Sequence, residues 1–354
     1  MMNHIYNYKP QELTIAELAA LDIDLNKLST RRRFLIGTGG LLGAAALAGC
    51  GQSPPEPAQV DGPTRTVEHR LGTVEVPQNP QRVITLDPAS LQSAVATGVI
   101  PIATADGDTE PLDSVADLRG VESVGVGSEP NLERIVELTP DLILGSDDFT
   151  SGIYERLSQI APTVAFPRAL GPYWKDIFLL YADALGRVDS ARELLDEYEL
   201  RVQGFGQRVR EATGQPPHEM TVSLIRIRPD AIRVYLPDSF AGSVMAEVGL
   251  SRPEGQRETD DWSRWELSLE EIPNLAADHI IQFQTDFDTE VDTERVFSTP
   301  LWAGLEAVQQ DRFHQATNGE WYLEGGAYYA NFVLDDLERF LIEKEGSSRG
   351  DATA

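Results

Sequence analysis

Two stretches of the chain, 137 residues apart, repeat one order of apolar and polar positions. Asn131–Leu144 aligns without gaps with Ser268–Ile281, and six of the fourteen positions are identical: Leu132/Leu269, Glu133/Glu270, Ile135/Ile272, Leu138/Leu275, Asp141/Asp278 and Ile143/Ile280. In each copy, apolar residues recur at helical spacing behind an N-capping residue, Asn131 or Ser268. A continuous apolar run follows, suited to a strand covered on both faces. Ser268 with Glu271 forms a capping-box pattern. Solenoid repeats have periods of about 20–50 residues, so this spacing predicts two similar α/β lobes instead, with a cleft between them.

The same reading extends along the chain. Thr66–Arg70 and Thr73–Val76 flank Leu71-Gly72 as a hairpin. Val83–Leu86 reads as a buried strand stopped by Asp87-Pro88, with a helix from Ser90 to Thr97, a stop at Gly98 and a further strand over Val99–Ala103. Leu142–Leu144 and Thr163–Phe166 continue the alternation. Between the repeats, Tyr173–Leu185 and Asp189–Ala212 carry helical periodicity. The second of these segments has no proline, so its 24 residues predict one helix about 36 Å long, with Gly204 and Gly206 as its weak points. Gly214-Gln215-Pro216-Pro217 ends it. Val222–Ile227 and Ile232–Tyr235 then form strands around Pro229-Asp230, and a last helix is predicted over Ala330–Lys344.

The first segment has a different texture. Thr30-Arg31-Arg32-Arg33-Phe34-Leu35 leads into an apolar run that closes at Leu47-Ala48-Gly49-Cys50. The run is shorter than the roughly 20 residues of a membrane-spanning helix, which fits an export signal better than a span. It resembles a twin-arginine signal joined to a lipoprotein box, although Ile36 departs from the usual Lys. Cys50, the one cysteine of the chain, is then the lipidation site that ties the protein to a membrane surface. Prolines 54, 55, 57 and 63 make an extended tether. The expected organisation is 1–49 signal, 50–63 tether, 64–172 N-terminal lobe, 173–215 helical linker, 216–345 C-terminal lobe and 346–354 disordered tail.

Charge narrows the function classes. The 354 residues carry a formal net charge of −28, while the first 49 contribute +1. All the acidity therefore lies in the exported part, which argues against nucleic-acid binding. Four Lys against 25 Arg fit a salty environment or a GC-rich coding sequence. The five His have no metal-ligand spacing. No Gly-rich phosphate loop, Cys nucleophile or Gly-x-Ser-x-Gly elbow is present, so an enzyme is not expected.

Several motifs together resemble the ABC-transporter substrate-binding proteins for iron–siderophore complexes, cobalamin and haem. They are Gln81–Asp87, Pro130–Leu144, Ala182–Gly186 and Leu267–Ile272, and the resemblance spans residues 66 to about 343. It implies an α/β fold of two Rossmann-like lobes joined by one long rigid helix, with the ligand cleft between them. It also implies a monomer that holds a ferric siderophore, with no cofactor of its own, iron being bound only through the siderophore's oxygens. The place of action would be the periplasm or the outer face of the cytoplasmic membrane. Glu133 and Glu270, carried over by motif, are the residues that would dock on the permease dimer. An acid in a first helical turn also favours the helix dipole by about 0.3–1 kcal/mol, and both roles can hold.

Candidate ligand contacts follow from the residues. Arg226 and Arg228 share one side of an apolar strand, where a guanidinium needs an anion. An internal carboxylate could answer either one alone. As a pair at a strand end they favour an anionic ligand of the citrate or hydroxamate kind. Trp262, Trp265, Trp321 and Tyr328 offer stiff contact area with a polar tip, and Tyr235 shares a strand face with Arg233. Asp87 and Phe149 are the candidates on the first lobe. Haem or cobalamin on the same fold, and a sensory lipoprotein without transport, are the alternative readings.

Overall fold

The computed structural model describes residues 62–105, 112–257, 264–285, 291–316, 319, 322 and 324–343. Strands β1 (Thr64–His69) and β2 (Gly72–Pro77) form the expected antiparallel hairpin. The first lobe then runs β3 (Val83–Thr85), α1 (Pro88–Ala96), β4 (Ala103–Thr104), β5 (Glu122–Ser123), a small hairpin β6 (Gly125–Val126) and β7 (Glu129–Pro130), α2 (Leu132–Leu138), β8 (Leu142–Ser146), α3 (Tyr154–Ile160) and β9 (Thr163–Phe166). Its sheet has the order β5-β4-β3-β8-β9 and every pairing is parallel. The strand expected over Val99–Ala103 begins only at Ala103, because Pro101 has no N–H to give a ladder.

Two helices follow, α4 (Trp174–Leu185) and α5 (Val188–Thr213). The 26 residues of α5 run unbroken through Gly204 and Gly206, about 39 Å at helical rise. Ala191, Leu195, Tyr198, Phe205 and Val209 keep one stripe of it buried. The second lobe comprises β10 (Val222–Ile227), β11 (Ile232–Tyr235), α6 (Phe240–Glu247), β12 (Arg264–Leu267), β13 (His279–Gln282), β14 (Phe313–Gln315) and α7 (Ala327–Leu341). Its sheet has the order β12-β11-β10-β13-β14, and β11 runs against both of its neighbours.

Both copies of the repeat precede an interior strand, β8 or β13, fourth in the order of its sheet. The first is an α-helix capped by Asn131, whose side chain accepts from the Arg134 N–H at 3.1 Å. The second, Leu269–Leu275, closes its expected Ser268/Glu271 capping box but winds as a 3₁₀-helix. Pro273 stands where the first copy has Val136; it has no N–H and crowds the preceding turn, which the tighter winding accommodates.

One apolar core lies under both sheets. Leu144 and Phe166 of the first sheet, Leu224 and Phe283 of the second, and Trp174 and Tyr198 of α4 and α5 belong to it. Separate outer cores back each lobe, around Ile84 and Ile143 in the first and around Ile225 and Ile280 in the second. Strict alternation along β10 produces this split: Val222 and Leu224 point to the shared core, Ile225 and Ile227 to the outer one.

The lobes touch where residues 168–171 meet the second lobe. Leu170 O accepts from Phe240 N at 2.8 Å and Ala169 O accepts from Gly325 N at 2.6 Å. Gly325 and Gly326 are required there for space. A Cβ at Gly326 would lie 1.7 Å from the Gln92 side chain, and one at Gly325 would lie 2.2 Å from Trp174 Cβ. Gly326 has extended backbone, φ 170°, so no strain is involved. Gly326→Ala is expected to cost about 1–3 kcal/mol in urea unfolding, as an overpacked site does. An unchanged unfolding midpoint would mean the lobes are not held this closely.

Candidate ligand-binding site

On the second lobe, three arginines share the inner face of β10 and β11. Arg226 continues the face of Val222 and Leu224 toward the C-terminal strand edge, and Arg228 follows two residues on. Arg226 stands directly across from Arg233 in the antiparallel register. Arg226 is 1 % exposed and donates through Nη2 to Thr285 Oγ1 at 2.8 Å; Arg233 is ion-paired with Glu266 on β12. Directly opposed like charges oppose strand pairing, so the pairing depends on the anionic and polar groups around it. Gln284 fixes the strand end. Its Oε1 accepts from Ile227 N at 3.0 Å and its Nε2 donates to Ile227 O at 3.2 Å, prolonging the ladder beyond β13. Arg295 donates to the Arg228 carbonyl.

On the first lobe, Asp87 ends β3 and caps α1, with its Oδ1 accepting from Ser90 N at 2.9 Å. The side chain is buried. Burial first, and then the Glu324 charge, push its carboxyl from 3.8 up to about 7, against the opposing pull of the Ser90 hydrogen bonds and Arg168. Arg168, just beyond β9, lies over the Phe149 ring at 5.2 Å and forms an ion pair with Glu324 of the second lobe. Beside it, Asp147 pairs with Arg70 at 3.1 Å. Burial and the Asp147 charge raise the Asp148 carboxyl. The Tyr181 hydroxyl, buried on α4, is raised by burial and by the charges of Asp87 and Glu324.

Arg226, Arg228 and Arg233 thus stand together on the second lobe, while Asp87 and Phe149 stand with Arg168 on the first. Tyr235 sits deeper than the arginines, its ring against Phe283 at 4.9 Å in the shared core, so packing accounts for it. Trp265 is not on this face. It pairs with Val234 and packs against the outer core, because β12 alternates like any strand and gives the inner face to Glu266. Tyr328 is half-buried in the first turn of α7, near-parallel to Phe332 at 6.4 Å. Glu133 and Glu270 are both exposed in first helical turns. Trp262, Trp321 and Cys50 lie outside the described residues, as do the signal, residues 50–61 of the tether and the tail.

Arg168 and Glu324 were not singled out in the sequence. The rule that drew attention to Arg228, an arginine just past a buried strand, applies equally to Phe166-Pro167-Arg168. Glu324 carried a weaker signal, an acid set against two glycines that let chains approach closely.

The fold that carries these residues matches known proteins. The model of the periplasmic binding protein family fits residues 83–318. The chain belongs to that family. It is 35% identical over 267 residues to the achromobactin-binding periplasmic protein of Dickeya dadantii, covering 73% of this chain and 86% of that protein. It is 33% identical over 293 residues to the Bacillus subtilis protein named "Probable siderophore-binding lipoprotein YfiY", covering 79% and 88%. Among solved structures, Staphylococcus aureus SirA complexed with staphyloferrin B superposes with a TM-score of 0.67 at 29% identity, over 78% of this chain and 98% of that one. The two-lobed fold with its cleft between the lobes is therefore the architecture of this chain.

The Asp87 environment has a definite pH consequence. Between pH 3.8 and about 7 the folded chain keeps a proton that the unfolded chain has released. Stability from this group is therefore full below that window and falls as pH rises through it. Asp87→Asn keeps the Oδ1 acceptor and removes the charge. In thermal unfolding at pH 5 and pH 8, wild type is expected to lose more stability between the two than the variant does. Equal losses would contradict a raised carboxyl.

Proposed function

We propose that this protein is exported, held at the membrane surface through lipidated Cys50, and captures a ferric siderophore that it delivers to an ABC permease. The observation that carries the ligand reading is the cross-strand pair Arg226–Arg233 with Arg228 at the same strand edge. A guanidinium gains charge-assisted, bidentate hydrogen bonds from carboxylate or hydroxamate oxygens, and three on one face favour an anionic guest of the citrate or hydroxamate kind. The names of the relatives, which describe siderophore-binding proteins, support the same class. The siderophore's own oxygens hold the iron, and the protein reads the outside of the chelate as a monomer.

Quenching of tryptophan fluorescence across ferric citrate, a ferric hydroxamate, a ferric catecholate, haem and cobalamin tests the ligand class. Arg226→Gln or Arg228→Gln is expected to weaken the anionic chelate by about 10–100-fold, the equivalent of one charged hydrogen bond of roughly 1.5–3 kcal/mol. Binding of haem or cobalamin alone would replace this reading.

Docking would use Glu133 and Glu270, one on each lobe, whose spacing reports how the lobes sit. Charge reversal at both is expected to abolish uptake in cells while leaving siderophore affinity within about twofold, as additivity of distant sites requires. A loss of affinity would remove the docking role. Cys50→Ser is expected to shift the protein from the membrane to the soluble fraction.

A further inference from the structure

The seam between the lobes holds two buried carboxylates against one described guanidinium. Asp87, from the first lobe, is 1 % exposed, and Glu324, from the second, is 2 % exposed. Arg168 grips Glu324 by a single oxygen, Oε1, through both Nε and Nη2. Among the described residues, buried Glu324 Oε2 has no donor within hydrogen-bond reach, and the Tyr181 hydroxyl is the group that faces Asp87. A buried, unanswered carboxylate oxygen is costly, and two acids in one low-dielectric site resolve the cost by keeping a proton.

Among the described residues, the other charged or titratable groups facing this seam are these. Tyr181 comes from α4, Asp147 and Asp148 from the end of β8, Arg70 from the end of β1, and Tyr173 from the segment before α4. Ser90 of α1 supplies hydrogen bonds but no charge. Arg168 is the outward member of the seam: its side chain is 17% exposed against 3% for Glu324, and the Phe149 ring lies beside it. It lies two residues beyond β9, at the C-terminal strand edge, where ligands of open α/β sheets bind.

We propose that Arg168 is the anion contact of the first lobe, held by Glu324 until a ligand carboxylate draws it away, with one proton then taken up at the buried Asp87. The inference rests on the anionic-chelate reading above. No electron moves and no covalent bond to the ligand forms; one proton passes from solvent to a carboxylate oxygen while one guanidinium changes partners. Proton uptake on binding means that acid favours capture and alkali favours release. The buried pair therefore links the state of the seam to the occupancy of the cleft.

Calorimetry of ferric citrate binding at pH 7 and pH 8, in two buffers of different ionisation enthalpy, reads the proton count directly. Wild type is expected to take up more protons than Glu324→Gln, with the excess larger at pH 8 than at pH 7, where Asp87 already holds part of its proton, whatever protons the chelate itself exchanges. Glu324→Gln should also bind more tightly at pH 8, since it competes less for Arg168. Arg168→Gln should bind at least tenfold more weakly, and Arg168→Lys, which keeps the charge without the fork, should fall between. If Glu324→Gln does not fold, Asp87→Asn should likewise lose the extra proton. Equal proton counts in wild type and the carboxylate variants, or unchanged affinity in Arg168→Gln, would overturn this inference while leaving the ligand class standing. Failure of wild type to bind either ferric citrate or a ferric hydroxamate would overturn the ligand class, and this inference with it.

Discussion

The rest of the structure depends on one apolar core that does not stop at the boundary between the lobes. Each sheet turns one face outward to a private core and the other inward to the helices α4, α5 and α7. Moving the lobes far apart would expose that shared core, at about 25 cal/mol for each Å² of apolar surface uncovered. A long helix alone does not make a rigid spar; it is stiff here because a stripe of its side chains is buried in the layer that both sheets need. Arg201 of α5 adds an ion pair to Asp335 of α7 at 2.5 Å, partly exposed and so a minor contribution.

This constraint sets where charge can lie. The inner faces of the sheets are apolar in their depth, with Val222, Leu224 and Phe283, and become charged only toward the strand C-termini. Arg226 and Arg233 stand at that transition on the second lobe, while Arg168, Asp87 and Glu324 mark it at the seam. In a chain of net charge −28, the surface field of the whole would repel an anion, but it is screened within about 8–10 Å at moderate salt. Arginines at the strand edges would reach an anion inside that distance.

Much of the architecture was legible in the residues. The period of the apolar positions, the caps Asn131 and Ser268, and the proline-free run before Gly214 gave the repeat, the interior strands and the long helix. Departures came where a single proline changed the local rule, Pro101 delaying β4 and Pro273 tightening the second repeat copy. The site was only half legible. Arg226 and Arg228 stand out because a charge in an apolar strand is conspicuous. Trp265, a candidate contact by residue type, sits on a strand and packs against the outer core, a placement that depends on the register of β12.

The sequence by itself determined the elements and their buried faces, since periodicity, capping and proline chemistry act over a few residues. It also determined the class of ligand to look for, through arginines on an otherwise apolar strand. Only the tertiary structure decided which charges meet. Asp87, Arg168 and Glu324 are separated by 81 and 156 positions in the chain, and no local rule relates them. Their meeting follows from the close approach of residues 168–171 to Gly325 and Gly326, a consequence of how two lobes share one core.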